Sequence, residues 1–152
     1  YWFEMMRKKL GFFGEEKEDE ILIKDLLSWM HSNKADFTNT FYYLTKRDFL
    51  NEKIYQNKIF LEWKKKWEDR IKRNKKSKES SFEIMKDNNP VIIPRNHKVE
   101  EALELACNKN DLSSIHNLLK ILRNPYLDRK TIIDYQAPPK PSANKYQTFC
   151  GT

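Results

Sequence analysis

Apolar residues recur at intervals of three and four along much of this chain, which is the spacing of one face of an α-helix. The regular stretches cover residues 18–31, 36–44 and 52–73. Their apolar positions are Ile21, Leu22, Leu26, Trp29 and Met30, then Phe37, Phe41 and Leu44, and finally Ile59, Trp63, Trp67 and Ile71. No stretch alternates between apolar and polar residues for long enough to build a sheet. The pattern therefore predicts a mainly α protein.

Polar residues mark where these helices begin. Acidic residues such as Glu18 and Asp19 suit the positive end of the helix dipole in the first stretch. Asp36 precedes the second stretch and has the side chain of an N-cap. Because residues 32–34 form a short polar turn between the two, we expect a helical pair.

A second helical region is predicted after an extended passage. Pro90 and Pro94 restrain the residues before them from helix, so residues 88–97 should be extended. Helices are then expected from about 98 to 108 and from about 113 to 122. Their apolar positions are Val99, Leu103 and Ala106 in the first, and Ile115, Leu118, Leu119 and Leu122 in the second. The short polar turn between them predicts a helical hairpin.

These patterns divide the chain into four segments. Residues 1–73 form a helical segment, and residues 74–89 a basic and polar connection whose first eight positions hold no apolar residue. Residues 90–133 contain the hairpin, and residues 134–152 form an extended tail with three prolines. The chain opens on Tyr1-Trp2-Phe3 as if inside a helix, without a start signal, so we expect it to be part of a larger protein.

Composition limits the class of protein. Only 39% of the residues are hydrophobic, 34% are charged and the net charge is +7, so the core must lie in a few amphipathic stripes. An aromatic content of 13% favours packed structure over disorder. Two cysteines and no secretory signal favour a reducing compartment, and we expect a cytoplasmic protein. No apolar run approaches the roughly 20 residues that a membrane span needs.

The sequence lacks the motifs of several catalytic classes. Its three glycines, Gly11, Gly14 and Gly151, do not form a phosphate-binding loop. Its three histidines are scattered and no Cys-x-x-Cys pair is present, so no zinc site is predicted. Arg95, Asn96 and His97 could form a polar site loop, or could satisfy backbone groups at the start of a helix. We therefore predict no catalytic, cofactor-binding or metal-binding residue.

Two cysteines and one basic run are further candidates. Cys107 is expected to be a small buried side chain on a packed helix. Cys150, near the end of the tail, is a redox candidate or a tolerated tail residue. Residues 64–78 carry nine lysines and arginines beside Trp63 and Trp67, so a nucleic-acid-binding helical module is an alternative. A solvated helix face explains the same run, because acidic residues interrupt it.

Several passages resemble the C-terminal part of the selenoprotein O family. They are DFTNTF at residues 36–41, NPVIIPRNHKVEEAL at residues 89–103 and YQTFCGT at residues 146–152. Residues 5–11, 111–113 and 122–126 are similar to the same family. The resemblance therefore extends over nearly the whole chain.

The resemblance implies a kinase-like α+β fold that binds ATP with Mg²⁺ or Mn²⁺ and transfers AMP to Ser, Thr or Tyr hydroxyls of proteins. In the family the catalytic motifs lie upstream, so this chain resembles the helical C-terminal part, with an extended tail, and should be inactive alone. The implied partners are the upstream kinase-like part and protein substrates. The sequence itself makes a membrane or nucleic-acid partner unexpected, with nucleic-acid binding kept as the alternative. Cys150 resembles a cysteine beside the family's selenocysteine, whose place is taken here by Gly151.

Overall fold

The computed structural model describes residues 1–48, 53–129 and 132–139. Within these ranges the regular structure consists of eight α-helices and a 3₁₀ helix at Lys53–Gln56, with no strand, so the mainly α prediction is confirmed. The helices are α1 Trp2–Lys9, α2 Asp19–Asn33, α3 Phe37–Lys46, α4 Lys58–Lys72, α5 Lys78–Asn88, α6 Asn96–Lys109, α7 Ser113–Leu122 and α8 Ile133–Gln136. No helix of the described part of the chain is long and apolar enough to cross a membrane.

The main core lies among the first five helices. α2 packs along α4, and α1 packs on both α2 and α5. Aromatic side chains fill the space between them, with Trp29, Tyr55 and Phe60 in mutual ring contact at centroid distances of 4.6–5.5 Å. Trp63 and Trp67 continue this row as parallel rings 6.1 Å apart. Since a large aromatic side chain buries about 150–250 Å², this row supplies much of the apolar burial.

The core face of α4 differs by one position from the predicted stripe. Ile59 is 65% exposed, whereas Phe60 is fully buried. Residues spaced by four drift about 40° around a helix at each step, so a run of four such positions cannot all face one core. Trp63 and Trp67 stay inside and Ile59 rotates out. On α2, Ile21 is exposed because it lies about 140° around the helix from the buried Leu26, whereas Ile23 lies about 60° from Leu26 and is buried.

The segment expected to be a basic and polar connection, residues 74–89, is largely helical. Ser77 caps α5 by accepting a hydrogen bond from the backbone N–H of Ser80, 3.1 Å away. Ser81 and Met85 on this helix are fully buried. The expectation was wrong for residues 78–88 because Ser77 caps a helix there, and Phe82 and Met85 on that helix pack on the main core.

The second helical region contains the two helices that the periodicity predicts, but Leu103 and Leu119 of the predicted apolar lines are exposed. α6 and α7 lie next to each other and pack mainly against one another. Their connection to the first region is a small cluster of Val91, Ile92 and Ile132. α8 makes residues 133–136 helical, where an extended tail was expected from 134, and Gln136 donates to the carbonyl of Val91 at 2.9 Å. Residues 140–152 lie outside the described residues, and the four-segment division stays a prediction.

A buried ion cluster joins α1, α2 and α4. The carboxylate of Asp19 is fully buried and accepts a hydrogen bond from Arg70 Nε at 2.7 Å and another from Arg7 Nε at 3.1 Å. Arg70 is itself 1% exposed, and its guanidinium lies 4.7 Å from the centre of the Phe12 ring. It also donates to Asn74 at 2.7 Å. These hydrogen bonds and ion pairs stabilise charged side chains whose burial would otherwise be strongly unfavourable.

The end of α1 is closed by side chains from distant parts of the chain. The last carbonyls of a helix have no partner within the helix and need one from outside. Three consecutive carbonyls here accept side-chain N–H groups at 2.8–2.9 Å. These pairs are Lys9 with Asn89, Leu10 with Trp67, and Gly11 with Asn74. The end of α1 is therefore held by α4 and by the residues that follow α4 and α5.

Gly11 is required by both its conformation and its surroundings. Its φ is +76°, and a Cβ at this position would lie 2.9 Å from the backbone oxygen of Ser81. Gly14 has a similar φ of +75° but open space around it. The two glycines therefore share the conformational requirement, and only Gly11 permits the close approach of α5.

Replacing Asp19 should strongly destabilise the chain. Asp19→Ala leaves two arginines without their buried partner, and breaking a buried pair in this way costs about 3–5 kcal/mol. Asp69→Ala removes the exposed partner of Lys72 and should leave the free energy of unfolding unchanged. Urea denaturation of both variants measures the difference. Equal effects would show that the Asp19 cluster is not a major source of stability.

Replacing each of the two glycines by alanine distinguishes the cost of a left-handed backbone from the cost of a steric clash with α5. Gly14→Ala should cost roughly 1–2 kcal/mol, the penalty of a left-handed backbone with a side chain. Gly11→Ala should cost clearly more, because its Cβ also meets the α5 backbone. Thermal unfolding of the two variants gives the comparison, and a Gly11→Ala cost no larger than that of Gly14→Ala would contradict the close approach.

Candidate functional site

Arg95 lies at the centre of the most connected polar site outside the main core. It ends the extended passage after Pro94 and occupies the N-cap position of α6. Its guanidinium donates to the two carboxylate oxygens of Asp36 at 2.6 and 2.9 Å. One of the same nitrogens donates to the carbonyl of Gln136 at 2.9 Å and to Asn39 at 3.3 Å. This set, Arg95, Asp36, Asn39 and Gln136, is the Arg95 clamp.

Asp36 has two roles in the clamp. Its side chain accepts a hydrogen bond from the backbone N–H of Asn39 at 2.8 Å, so it caps α3 as the sequence predicts. The same carboxylate binds Arg95, whose partner the sequence did not indicate because 59 residues separate the pair. Two parallel N–H···O bonds between arginine and a carboxylate fix both distance and orientation. The clamp thereby fixes the starts of α3 and α6 relative to each other.

The clamp also sets the protonation of Asp36. Burial raises the pKa of this carboxyl, but the hydrogen bond and charge of Arg95 and the N–H of Asn39 outweigh burial. The pKa of Asp36 therefore lies below its ordinary value of 3.8. The ion pair is intact at neutral pH.

Two surface cavities flank the clamp. One, of about 780 Å³, is lined by Asp36, His31 and Lys34 among others. The second, of about 820 Å³, is lined by Arg95, Asn96 and His97 among others. Pro138 contributes to the wall of both. Arg95 thus binds Asp36, Asn39 and Gln136, and Asn96 and His97 lie on the cavity wall beside it. A ligand-binding role for this loop stays a prediction.

The cysteine predictions have different outcomes. Cys107 is exposed on α6, so the expectation of a buried side chain was wrong. Ala102 is the buried residue of this helix, and Cys107 lies about 140° around the helix from it. Cys150 lies outside the described residues. Within residues 1–48, 53–129 and 132–139, no group of three or more His, Cys, Asp or Glu side chains could hold a metal ion.

Trp63 and Trp67 are not available to stack on nucleic-acid bases. They are 4% and 1% exposed, and their indole N–H groups donate to the carbonyls of Leu22 and Leu10 at 2.8 and 2.9 Å. Several lysines of α4 pair with acidic residues of the same helix, as Lys72 does with Asp69. The nucleic-acid alternative therefore loses the aromatic contacts on which it depended.

Comparison with known proteins identifies the family. The sequence model of the family described as "Protein adenylyltransferase SelO" matches residues 1–123. The chain belongs to the SelO family. The resemblance found in residues 36–41 and 89–103 is thereby confirmed.

Individual SelO relatives match along almost the whole chain. A "Protein nucleotidyltransferase YdiU" of Bacillus cereus is 49% identical over 151 residues, 99% of this chain and 31% of the relative. Proteins of the same name from Pelagibacter ubique and Bacillus anthracis are each 48% identical over the same shares. The chain spans about a third of the length of the curated relatives it matches.

Removing the charge of Asp36 should make the free energy of unfolding vary less with pH in the acid range. Asp36→Asn keeps a side chain that can cap α3 but loses the ion pair, so the variant should be roughly 1.5–3 kcal/mol less stable at pH 7. The lowered pKa means that the ionised carboxylate stabilises the fold fully above its ordinary value, and that this stabilisation is lost as the pH falls through the lowered value. The difference between the two proteins should therefore shrink below about pH 4.

Thermal unfolding at a series of pH values measures this difference. Asp25→Asn is the matched control, since Asp25 is exposed on α2. A difference between the natural chain and Asp36→Asn that stays constant down to the lowest pH would contradict the role of the ion pair.

Proposed function

We propose that this chain is the C-terminal helical region of a cytoplasmic protein adenylyltransferase, which transfers AMP from ATP to Ser, Thr or Tyr hydroxyls of other proteins. The proposal is carried by family membership and by 49% identity to a protein nucleotidyltransferase across nearly the whole chain. Because the match spans 31% of that relative, the activity belongs to a longer protein than this chain.

The nucleotide and its Mg²⁺ or Mn²⁺ are proposed to bind outside this chain. The residues described here do not fit such a site. The carboxylate with the deepest burial, Asp19, is already bound by Arg7 and Arg70. A metal-bound nucleotide needs carboxylates that are free to face it together with a phosphate-binding lysine or loop. No reaction step is therefore assigned to residues of this chain.

The proposed role of this region is to support the catalytic part by packing. The first five helices share one core and are joined by the Asp19 cluster, so they form a firm base. The Arg95 clamp fixes the start of α6 on α3. Catalytic groups must be held in place by packed surroundings to act efficiently. Damage to this base should therefore reduce the activity of the whole protein without removing any reacting group.

The proposal includes a regulatory role for the thiol of Cys150. Support comes from the passage YQTFCGT, which resembles the family's C-terminus. Thiol–disulfide exchange with a small disulfide such as oxidised glutathione would join Cys150 to a second thiol of the protein and release reduced glutathione. Reduction would reverse the bond.

Transfer of labelled AMP tests the function directly. The full-length protein that contains this chain, incubated with ATP labelled in the α-phosphate, Mg²⁺ and a protein extract, should label protein bands. The 152-residue chain alone should label none and should not bind ATP with Mg²⁺. ATP labelled only in the γ-phosphate is the control, because it reports phosphate transfer instead. No α-phosphate labelling by the full-length protein, or binding of ATP and Mg²⁺ by this chain alone, would overturn the proposal.

A further inference from the structure

The α6–α7 hairpin exposes leucines on its surface. Leu103 on α6, Leu112 just before α7 and Leu119 on α7 are 50–51% exposed. Ala102 and Leu118 are the buried residues of the two helices. Two packed helices bury one stripe of each against the other, and any apolar residues beside that stripe need a third element to cover them.

These leucines lie on the same side of the hairpin. Leu103 follows Ala102 and Leu119 follows Leu118, so each lies about 100° around its helix from the buried stripe. The connection between α6 and α7 is only three residues long, which makes the helices antiparallel. In an antiparallel pair, equal rotations away from the shared contact bring both residues to one side. Leu112 lies about 120° from Leu118 in the same direction of rotation as Leu119, so it lies on the same side of the hairpin. We call the surface formed by Leu103, Leu112 and Leu119 the leucine side.

Other contacts attach the hairpin to the rest of the chain. Ile121 and Leu122, near the end of α7, pack on the cluster of Val91, Ile92 and Ile132. Ile121 lies about 60° from Leu118 in the rotation opposite to that of Leu119, and Leu122 lies about 40° from Leu118 in the same rotation as Leu119. The attachment is therefore centred near the buried stripe, and Leu119 lies about 110° around α7 from that centre. An exposed group of large apolar residues usually marks an interaction site.

We propose that the leucine side is the docking surface for the part of the same polypeptide that lies outside this chain and carries the nucleotide-transferring site. This inference rests on the proposed function, because that function requires such a part. The matched relatives are about three times as long as this chain, and 99% of it, including the whole hairpin, aligns with them. About two thirds of the length of such a relative is thus available to cover the hairpin. The docked surface would fix the hairpin, and through it the Arg95 clamp, against the catalytic part.

Cysteine labelling of the full-length protein tests the docking. In Leu119→Cys the new thiol lies on the leucine side, and in Asn117→Cys it lies on the same helix but about 200° away, at an exposed position. Labelling with N-ethylmaleimide, followed by peptide mass spectrometry, gives the rate at each site separately from the other thiols. In the 152-residue chain both sites should react at similar rates. In the full-length protein Leu119→Cys should react at least about tenfold more slowly than Asn117→Cys, because a docked side chain reacts only when the interface opens.

A second pair of cysteine variants, on α6, is the control for a substitution that disturbs the fold. Leu103→Cys on the leucine side and Glu101→Cys on the other side of α6 repeat the comparison, and both natural residues are exposed. Protection of both leucine positions in the full-length protein supports the proposal. Equal labelling of leucine and control positions there overturns it. Protection already present in the 152-residue chain and lost on dilution also overturns it, since a second copy would then be the occupant.

The labelling needs no nucleotide, so it is independent of the test of activity. Full-length protein that transfers AMP but leaves the leucine side reactive would disprove only the docking. Protection without transfer would disprove only the catalytic function.

Discussion

Burial of the Asp19 carboxylate between two arginines is the interaction on which the arrangement of the first five helices depends. A carboxylate with no solvent contact is stable only if it is paired and hydrogen-bonded, so Arg7 and Arg70 must be in place when the core closes. Each of the three residues comes from a different helix. The cluster is specific in a way that apolar contacts are not, because it accepts one mutual orientation of α1, α2 and α4.

The Arg95 clamp applies the same principle nearer the surface. It connects the start of α3, the start of α6 and the end of α8 through one guanidinium. Arg95, Asn96 and His97 line the same cavity, but the hydrogen bonds of the clamp are made by Arg95. In this run of three polar residues at the start of a helix, Arg95 is thus the one that joins the helices of the clamp.

Much of the helical architecture follows from the sequence, whereas its polar contacts do not. Local signals were sufficient for α2 and α3, where regular apolar spacing and the cap at Asp36 agree. α5 was missed because it has only two core apolar residues close together, Phe82 and Met85, and because its buried Ser81 pairs with the distant Asn74 side chain. The pairing of Asp19 with Arg70 spans 51 residues, and an acidic residue at a helix start is explained equally well by the helix dipole. The exposure of Cys107 depends on how few elements surround α6, which is also not a local property.

The closed end of α1 has a consequence for synthesis on the ribosome. Its last carbonyls bind N–H groups of Trp67, Asn74 and Asn89, which are made 57–80 residues later. Until Asn89 has left the exit tunnel, the carbonyl of Lys9 lacks its side-chain partner, although α2 and α4 have already emerged. The end of the first helix is therefore completed only after the last of the five helices has emerged.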